Sequence, residues 1–103
     1  MQEFTKIVLE IIKEIPRGKV MTYGQVAAWA DSPRSARQVA RILHGMSEAH
    51  NLPWQRVINK QGNISLTGIA GATQKALLEE EGIVFKKGKI DLSIYQWKIT
   101  ENE

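Results

Sequence analysis

The stretch Thr22-Tyr23-Gly24-Gln25-Val26-Ala27-Ala28-Trp29-Ala30-Asp31-Ser32-Pro33-Arg34-Ser35-Ala36-Arg37-Gln38-Val39-Ala40-Arg41-Ile42-Leu43-His44 decides the fold. Thr22 is a good helix N-cap, and Gln25, three residues on, completes a capping box. A helix is therefore expected from about Tyr23 to Ala30. Asp31-Ser32-Pro33 breaks the chain. Ser32 or Ser35 then caps a second helix that continues to about Met46. Its inward face would be Ala36, Val39, Ala40 and Leu43. Its outward face would carry Arg34, Arg37, Arg41 and His44 at helical spacings of three and four. Two helices joined by a short turn, the second lined with arginines, form a helix-turn-helix pattern. The spacing alone leaves a second reading open, two ordinary core helices with a solvated basic face.

Upstream, residues 3–15 place Ile7, Val8, Ile11, Ile12 and Ile15 at helical spacing, and Pro16 ends that helix. Arg17-Gly18 is a turn, and Val20-Met21 a short extended piece. Downstream, residues 47–71 show little periodicity. They hold Pro53-Trp54-Gln55-Arg56, a short apolar Val57-Ile58, and a glycine-containing segment from Gly62 to Gly71. A third helix is expected to start near Thr73 and run from Gln74 to Glu81, stopped by Gly82. Ile83-Val84-Phe85 and Ile90-Asp91-Leu92 then flank Lys86-Lys87-Gly88-Lys89, a β-hairpin with a basic tip. A hairpin after a helix-turn-helix is the layout of a winged helix. With no repeat or linker in view, the expectation is one domain over residues 1–103. Its class is mainly α, a winged helix-turn-helix of three to four helices with a small β-hairpin wing.

Composition narrows the chemistry. The 103 residues include no cysteine, which excludes disulfides, thiolate metal sites and thiol nucleophiles together. The two histidines, His44 and His50, cannot make a usual zinc site without carboxylates, so neither a metal nor a cofactor is expected. No apolar run approaches the ~20 residues of a membrane span. Met1-Gln2-Glu3-Phe4 lacks the basic-then-apolar layout of a signal peptide, and a cytoplasmic protein without membrane contact is expected. The net charge is +3, but residues 17–60 carry seven Lys and Arg against Asp31 and Glu48. Positive charge concentrated in the middle of the chain attracts phosphates.

Several stretches, in order, resemble the C-terminal DNA-binding domain of the O6-alkylguanine-DNA alkyltransferases. They are Ile15-Pro16-Arg17-Gly18-Lys19-Val20 with Thr22-Tyr23-Gly24-Gln25-Val26-Ala27, then Ser35-Ala36-Arg37-Gln38-Val39, then Pro53-Trp54-Gln55-Arg56-Val57-Ile58, and Leu77-Leu78-Glu79-Glu80-Glu81-Gly82. The third stands where that family has Pro-Cys-His-Arg. In those enzymes a cysteine thiolate attacks the alkyl carbon, helped by a histidine that a glutamate orients. Here Trp54 holds the nucleophile position and Gln55 the base position, while Glu81 matches the orienting glutamate. Tryptophan has no usable nucleophile, and an amide is no base near neutral pH. The combination is similar to the alkyltransferase-like proteins, which have tryptophan at the cysteine position, lack the separate N-terminal domain and bind alkylated DNA without repairing it. Leu92, Tyr95 and Trp97 also fit that group. Gln55 departs from it, since most members keep histidine there.

The resemblance implies a catalytically inactive protein that enters the minor groove of double-stranded DNA containing alkylated guanine and flips the damaged nucleotide out of the stack. Arg37 corresponds to the finger that fills the vacated space, and a planar guanidinium suits stacking and hydrogen bonding together. Tyr23 corresponds to the tyrosine that crowds the target's 3′ phosphate. Arg34 and Arg41 would contact phosphates. Trp54 would form a pocket wall beside Pro53 and Gln55, closed by the loop around Ser65, Leu66 and Thr67. Lys86, Lys87 and Lys89 could meet phosphates from the wing. The resemblance further implies a monomer that marks the lesion for nucleotide excision repair proteins. The competing reading is a winged-helix transcription regulator without lesion specificity.

Overall fold

The computed structural model describes residues 1–98. Helix α1 (Glu3–Glu14) buries Val8, Leu9 and Ile12 along one face, as the periodicity requires. Its end follows from Pro16. The residue before a proline is pushed out of the helical region, and Ile15 is extended at φ −61° and ψ 118°. Strand β1 (Met21–Thr22) leads directly into α2 (Tyr23–Trp29) through the expected capping box. The Thr22 hydroxyl accepts from the Gln25 amide at 3.0 Å, and the Gln25 side-chain oxygen accepts from the Thr22 amide at 3.3 Å.

Helix α3 (Ala36–Met46) follows a turn in which Asp31 takes a left-handed φ of 63°. Two expectations for this helix are corrected. Ser35 sits at the N-cap position but does not cap, because its hydroxyl pairs with that of Ser32 at 2.7 Å. The inward face is Val39, Ile42 and Leu43, while Ala36 and Ala40 are only half-buried. Ile42 belongs to the core, and Ala40 is left on a lateral face. Helix α2 packs on both α1 and α3 around one apolar cluster that includes Val26, Ala27, Val39, Leu43 and Val57.

The segment 47–71 is less loop-like than its composition suggests. A single 3-10 turn (Trp54–Arg56) runs into β2 (Val57–Ile58), which pairs in parallel with β1, Met21 opposite Val57 and Thr22 opposite Ile58. Helix α4 (Gly68–Glu80) begins well before the expected Gln74. Its two glycines read as loop residues, yet packing needs Gly71. A Cβ there would collide with the Leu66 carbonyl oxygen. Close approach of backbones thus overrides the weak helix propensity of glycine.

The wing is shorter than expected, β3 (Phe85–Lys86) against β4 (Lys89–Ile90), with Phe85 opposite Ile90. Lys87 and Gly88 both have positive φ, 52° and 77°, the signature of a two-residue type I′ turn. Asp91-Leu92 does not extend the strand. Asp91 caps the one-turn helix α5 (Leu92–Tyr95) by accepting from the Ser93 amide at 2.9 Å. A second cluster of Val20, Ile58, Leu78, Ile83 and Ile90 holds α4 and the hairpin against β1 and β2. The architecture is therefore mainly α with a hairpin wing, built on four helices and the additional short α5.

Candidate nucleic-acid interface

The site is built around the 3-10 turn, whose three side chains face two different environments. Arg56 and Gln55 turn to Glu81, at the C-terminal end of α4. The Arg56 Nε donates to both carboxylate oxygens at 3.0 and 3.1 Å, and its NH1 donates to the Ile15 carbonyl at 2.8 Å. Gln55 donates to Glu81 Oε2 at 2.8 Å, and the Gly18 amide to Oε1 at 2.9 Å. The side chains of Arg56 and Glu81 are 17% and 3% exposed, so the pair is largely shielded from solvent. Burial pushes the Glu81 carboxyl up, but the hydrogen bonds from Arg56, Gly18 and Gln55, with the Arg56 charge, outweigh it. The net effect holds this carboxyl below the usual range.

Trp54 faces the other way. It packs half-buried against the main core and lines a cavity of about 340 Å³, near the lower end of small-ligand sites. The other walls are Tyr23 from α2, Ala40, Leu43, His44 and Ser47 from α3 and its end, Ser65 and Leu66 from the loop before α4, and Gln74 from α4. No carboxylate lines it.

Of the pocket residues expected from sequence, Tyr23, Trp54, Ser65 and Leu66 come together at this cavity. Pro53, Gln55 and Thr67 are not in its lining. Pro53 precedes the 3-10 turn as its cap residue, Gln55 is drawn to Glu81, and Thr67 is the exposed N-cap of α4. Gln55 is thus tied to Glu81 and not to the cavity. Five lining residues were missed. Ala40, His44 and Ser47 follow one another at helical spacing from Arg37, which signals a shared strip on α3. Leu43 had been assigned wholly to the core. Gln74, 1% exposed, is a lone polar residue on the buried face of α4, and its amide nitrogen donates to the Gln55 and Val57 carbonyls, each at 3.1 Å.

Arg37 and Arg41 are exposed one turn apart on α3. Arg34 is also exposed, but it precedes the N-cap residue Ser35 and so belongs to the interhelical turn rather than to the helix. None of the three makes an ion pair or side-chain hydrogen bond among the described residues, which leaves their donors free for a ligand. The basic face therefore runs directly into the cavity wall at Ala40 and His44. On the wing, Phe85 packs under Lys75, whose ammonium lies 5.6 Å from the ring centroid, and Lys86, Lys87 and Lys89 remain exposed. Among the described residues no group of three His, Cys, Asp or Glu is placed to hold a metal, and no helix is long and apolar enough to cross a membrane.

Residues 3–83 match the family of the 6-O-methylguanine DNA methyltransferase, DNA binding domain. The chain is 46% identical over 95 residues to a DNA base-flipping protein of Escherichia coli, covering 91% of this chain and 74% of that protein. It is 39% identical over 105 residues to alkyltransferase-like protein 1 of Schizosaccharomyces pombe, covering 95% and 97%. The solved structure of that yeast protein, Atl1, in complex with damaged DNA containing O6-carboxymethylguanine superposes with a TM-score of 0.84 over 96% of this chain and 98% of the yeast chain. With this extent of likeness, the chain belongs to the alkyltransferase-like proteins of the 6-O-methylguanine DNA methyltransferase DNA-binding family.

Proposed function

We propose that this protein recognises O6-alkylguanine in duplex DNA without repairing it. The observation that carries the reading is the continuity of the free arginine face of α3 with the Trp54-lined cavity. Phosphate contacts from Arg34 and Arg41 supply attraction and register but no selectivity. Arg37 enters the stack through the minor groove as the everted nucleotide leaves, and Tyr23 stands where that nucleotide swings. The base then packs on Trp54 between Tyr23 and Leu66. Lys86, Lys87 and Lys89 on the wing add phosphate contacts. A Trp54-lined cavity beside the arginine helix suits an everted base, which favours lesion binding over the transcription-regulator reading.

No alkyl transfer accompanies binding. The chain holds no thiol, and the side chain beside Trp54 is an amide bonded to Glu81. The protein therefore acts by holding the lesion, as a monomer, and presenting the distorted duplex to nucleotide excision repair proteins. Extrusion tests this reading. A fluorescent base analogue stacked beside O6-methylguanine should brighten when the protein binds, because eversion of its neighbour relieves quenching. Unchanged fluorescence at saturation contradicts flipping. Incubation with DNA carrying a radiolabelled methyl group should leave the label on DNA; label on the protein contradicts a binding-only role.

A further inference from the structure

Leu92, Tyr95 and Trp97 lie outside the cavity lining, yet the segment they belong to is bound firmly into the fold. Leu92 and Tyr95 pack against the cluster under the wing, whereas Trp97 packs against the main core. Between them the chain runs beside Val20 as a parallel bridge. The Val20 amide donates to the Tyr95 carbonyl at 2.9 Å, and the Trp97 amide donates to the Val20 carbonyl at 2.8 Å. A further tie reaches Gln25, in the first turn of α2. Its Oε1 accepts from Gln96 Nε2 at 2.8 Å as well as from the Thr22 amide, and its Nε2 donates to the Trp97 carbonyl. A capping box needs only the reciprocal bonds between Thr22 and Gln25. The bonds to Gln96 and Trp97 are additional to what starts the helix. Residues 20–25 are thus held at both ends by residues 95–97, and within that stretch stands Tyr23, a wall of the cavity.

We propose that residues 95–97 form a brace for Tyr23, and that Gln25 is the positioning residue through which the brace acts. The inference deepens the lesion-binding reading and rests on it, since that reading puts Tyr23 where the everted nucleotide swings. Rotating a nucleotide out of the stack needs a wall that does not yield. Helix α2 has only seven residues, and a helix that short does not hold its own turns. Helix ends also fray at almost no cost in free energy. Ties to a neighbouring strand segment and, through it, to both apolar clusters remove that freedom at the turn that carries Tyr23. The brace therefore acts on eversion, and the exposed arginines keep their contacts with phosphates whether or not it is intact.

Two substitutions separate the brace from the cap. Glutamate in Gln25→Glu keeps the capping box and can still accept from Gln96, but it has no N–H for the Trp97 carbonyl. Gln96→Met removes the other side-chain tie, leaves the cap whole and adds no charge. Stopped-flow fluorescence of a base analogue stacked beside O6-methylguanine follows eversion by the intact protein. Each variant should slow eversion by about fivefold, within the range of coupling between contacting residues. Gln96→Met should bind undamaged duplex as the wild type does. A merely structural role would lower the urea midpoint and leave the eversion rate alone, and an unchanged rate in both variants overturns the proposal. Equal losses of affinity for lesion and undamaged duplexes, with no change in rate, overturn it too. Hydrogen exchange on the DNA-free protein provides a second measurement. The Thr22 and Gln25 amides should lose protection in Gln96→Met while those of α3 keep theirs; full protection at Thr22 and Gln25 overturns the brace. A wild type that shows no eversion overturns the lesion reading itself, and exchange then still decides whether residues 95–97 hold the start of α2.

Discussion

Trp54 and its two successors occupy one helical turn but face different surroundings. On the Glu81 side, three donors, the Arg56 Nε, the Gln55 amide and the Gly18 N–H, make four hydrogen bonds to one carboxylate, and Arg56 is anchored besides to Ile15. On the Trp54 side, an open cavity has mostly apolar walls and free hydroxyls. The contrast separates support from recognition. A saturated polar network rigidifies its surroundings, whereas an unsaturated one beside an aromatic wall is prepared for something that arrives. Gln55 makes the separation complete, because the residue next to Trp54 is tied into the support and takes no part in the cavity.

The largest expected effect comes from breaking the support. Glu81→Ala leaves the Arg56 charge largely buried without its partner and should destabilise the fold by about 3 kcal/mol. Urea denaturation measures this, and a loss below about 1 kcal/mol would show that the network is dispensable. The same carboxylate sets an acid limb. Its pKa is held lower in the folded state than in the unfolded chain, so it contributes stability above about pH 4.3, the ordinary glutamate value. That contribution is lost as pH falls through the folded value. Glu81→Gln should flatten the acid limb of a stability profile, while an unaltered limb would assign acid sensitivity elsewhere.

Changes on the recognition side act on binding; those of the exposed arginines should leave stability nearly intact, whereas Trp54→Ala also removes packing against the main core and so costs stability. Trp54→Ala removes a stacking wall, which should reduce affinity for a lesion duplex by ~1–3 kcal/mol, while binding to undamaged DNA persists. If Arg37 is the proposed finger, which acts only when a base has left the stack, Arg37→Ala should weaken lesion binding severalfold more than undamaged binding. Equal losses on both duplexes would reduce Arg37 to a phosphate contact. Arg41→Ala should weaken both duplexes alike and lower the salt dependence, the slope of log K against log salt shrinking by about 0.9 for one phosphate contact. The smallest change is Gln55→His. An imidazole can donate to Glu81 as the amide does, so thermal stability and lesion affinity should stay close to wild type. A large loss of affinity would bring residue 55 back into the cavity.

The helical framework was legible because its signals are local. The isoleucines of α1 repeat at helical spacing, Pro16 ends it, and Thr22 and Gln25 announce the start of α2 by themselves. The arginines of α3 and the turn before it were equally plain, and the resemblance located Tyr23, Trp54, Ser65 and Leu66. What escaped was set by tertiary contact. Gly71 reads as a loop residue until the Leu66 carbonyl is seen against it. Ser35 reads as a cap until Ser32 claims its hydroxyl. Gln74 is an ordinary helical glutamine in the sequence, and only its bonds to the carbonyls of Gln55 and Val57 account for its burial. Gln55 itself follows Trp54 in the chain, yet the 3-10 turn sends its side chain to Glu81.

The central claim is that the Trp54 cavity confers preference for an alkylated guanine on an otherwise general DNA-binding face. Titration of matched duplexes with and without one O6-methylguanine, at one salt concentration, tests it most directly when wild type and Trp54→Ala are measured side by side. The account predicts that wild type favours the lesion by about tenfold or more, ~1.4 kcal/mol, and that the variant largely loses this margin while keeping its affinity for undamaged DNA. Equal wild-type affinity for the two duplexes would contradict it.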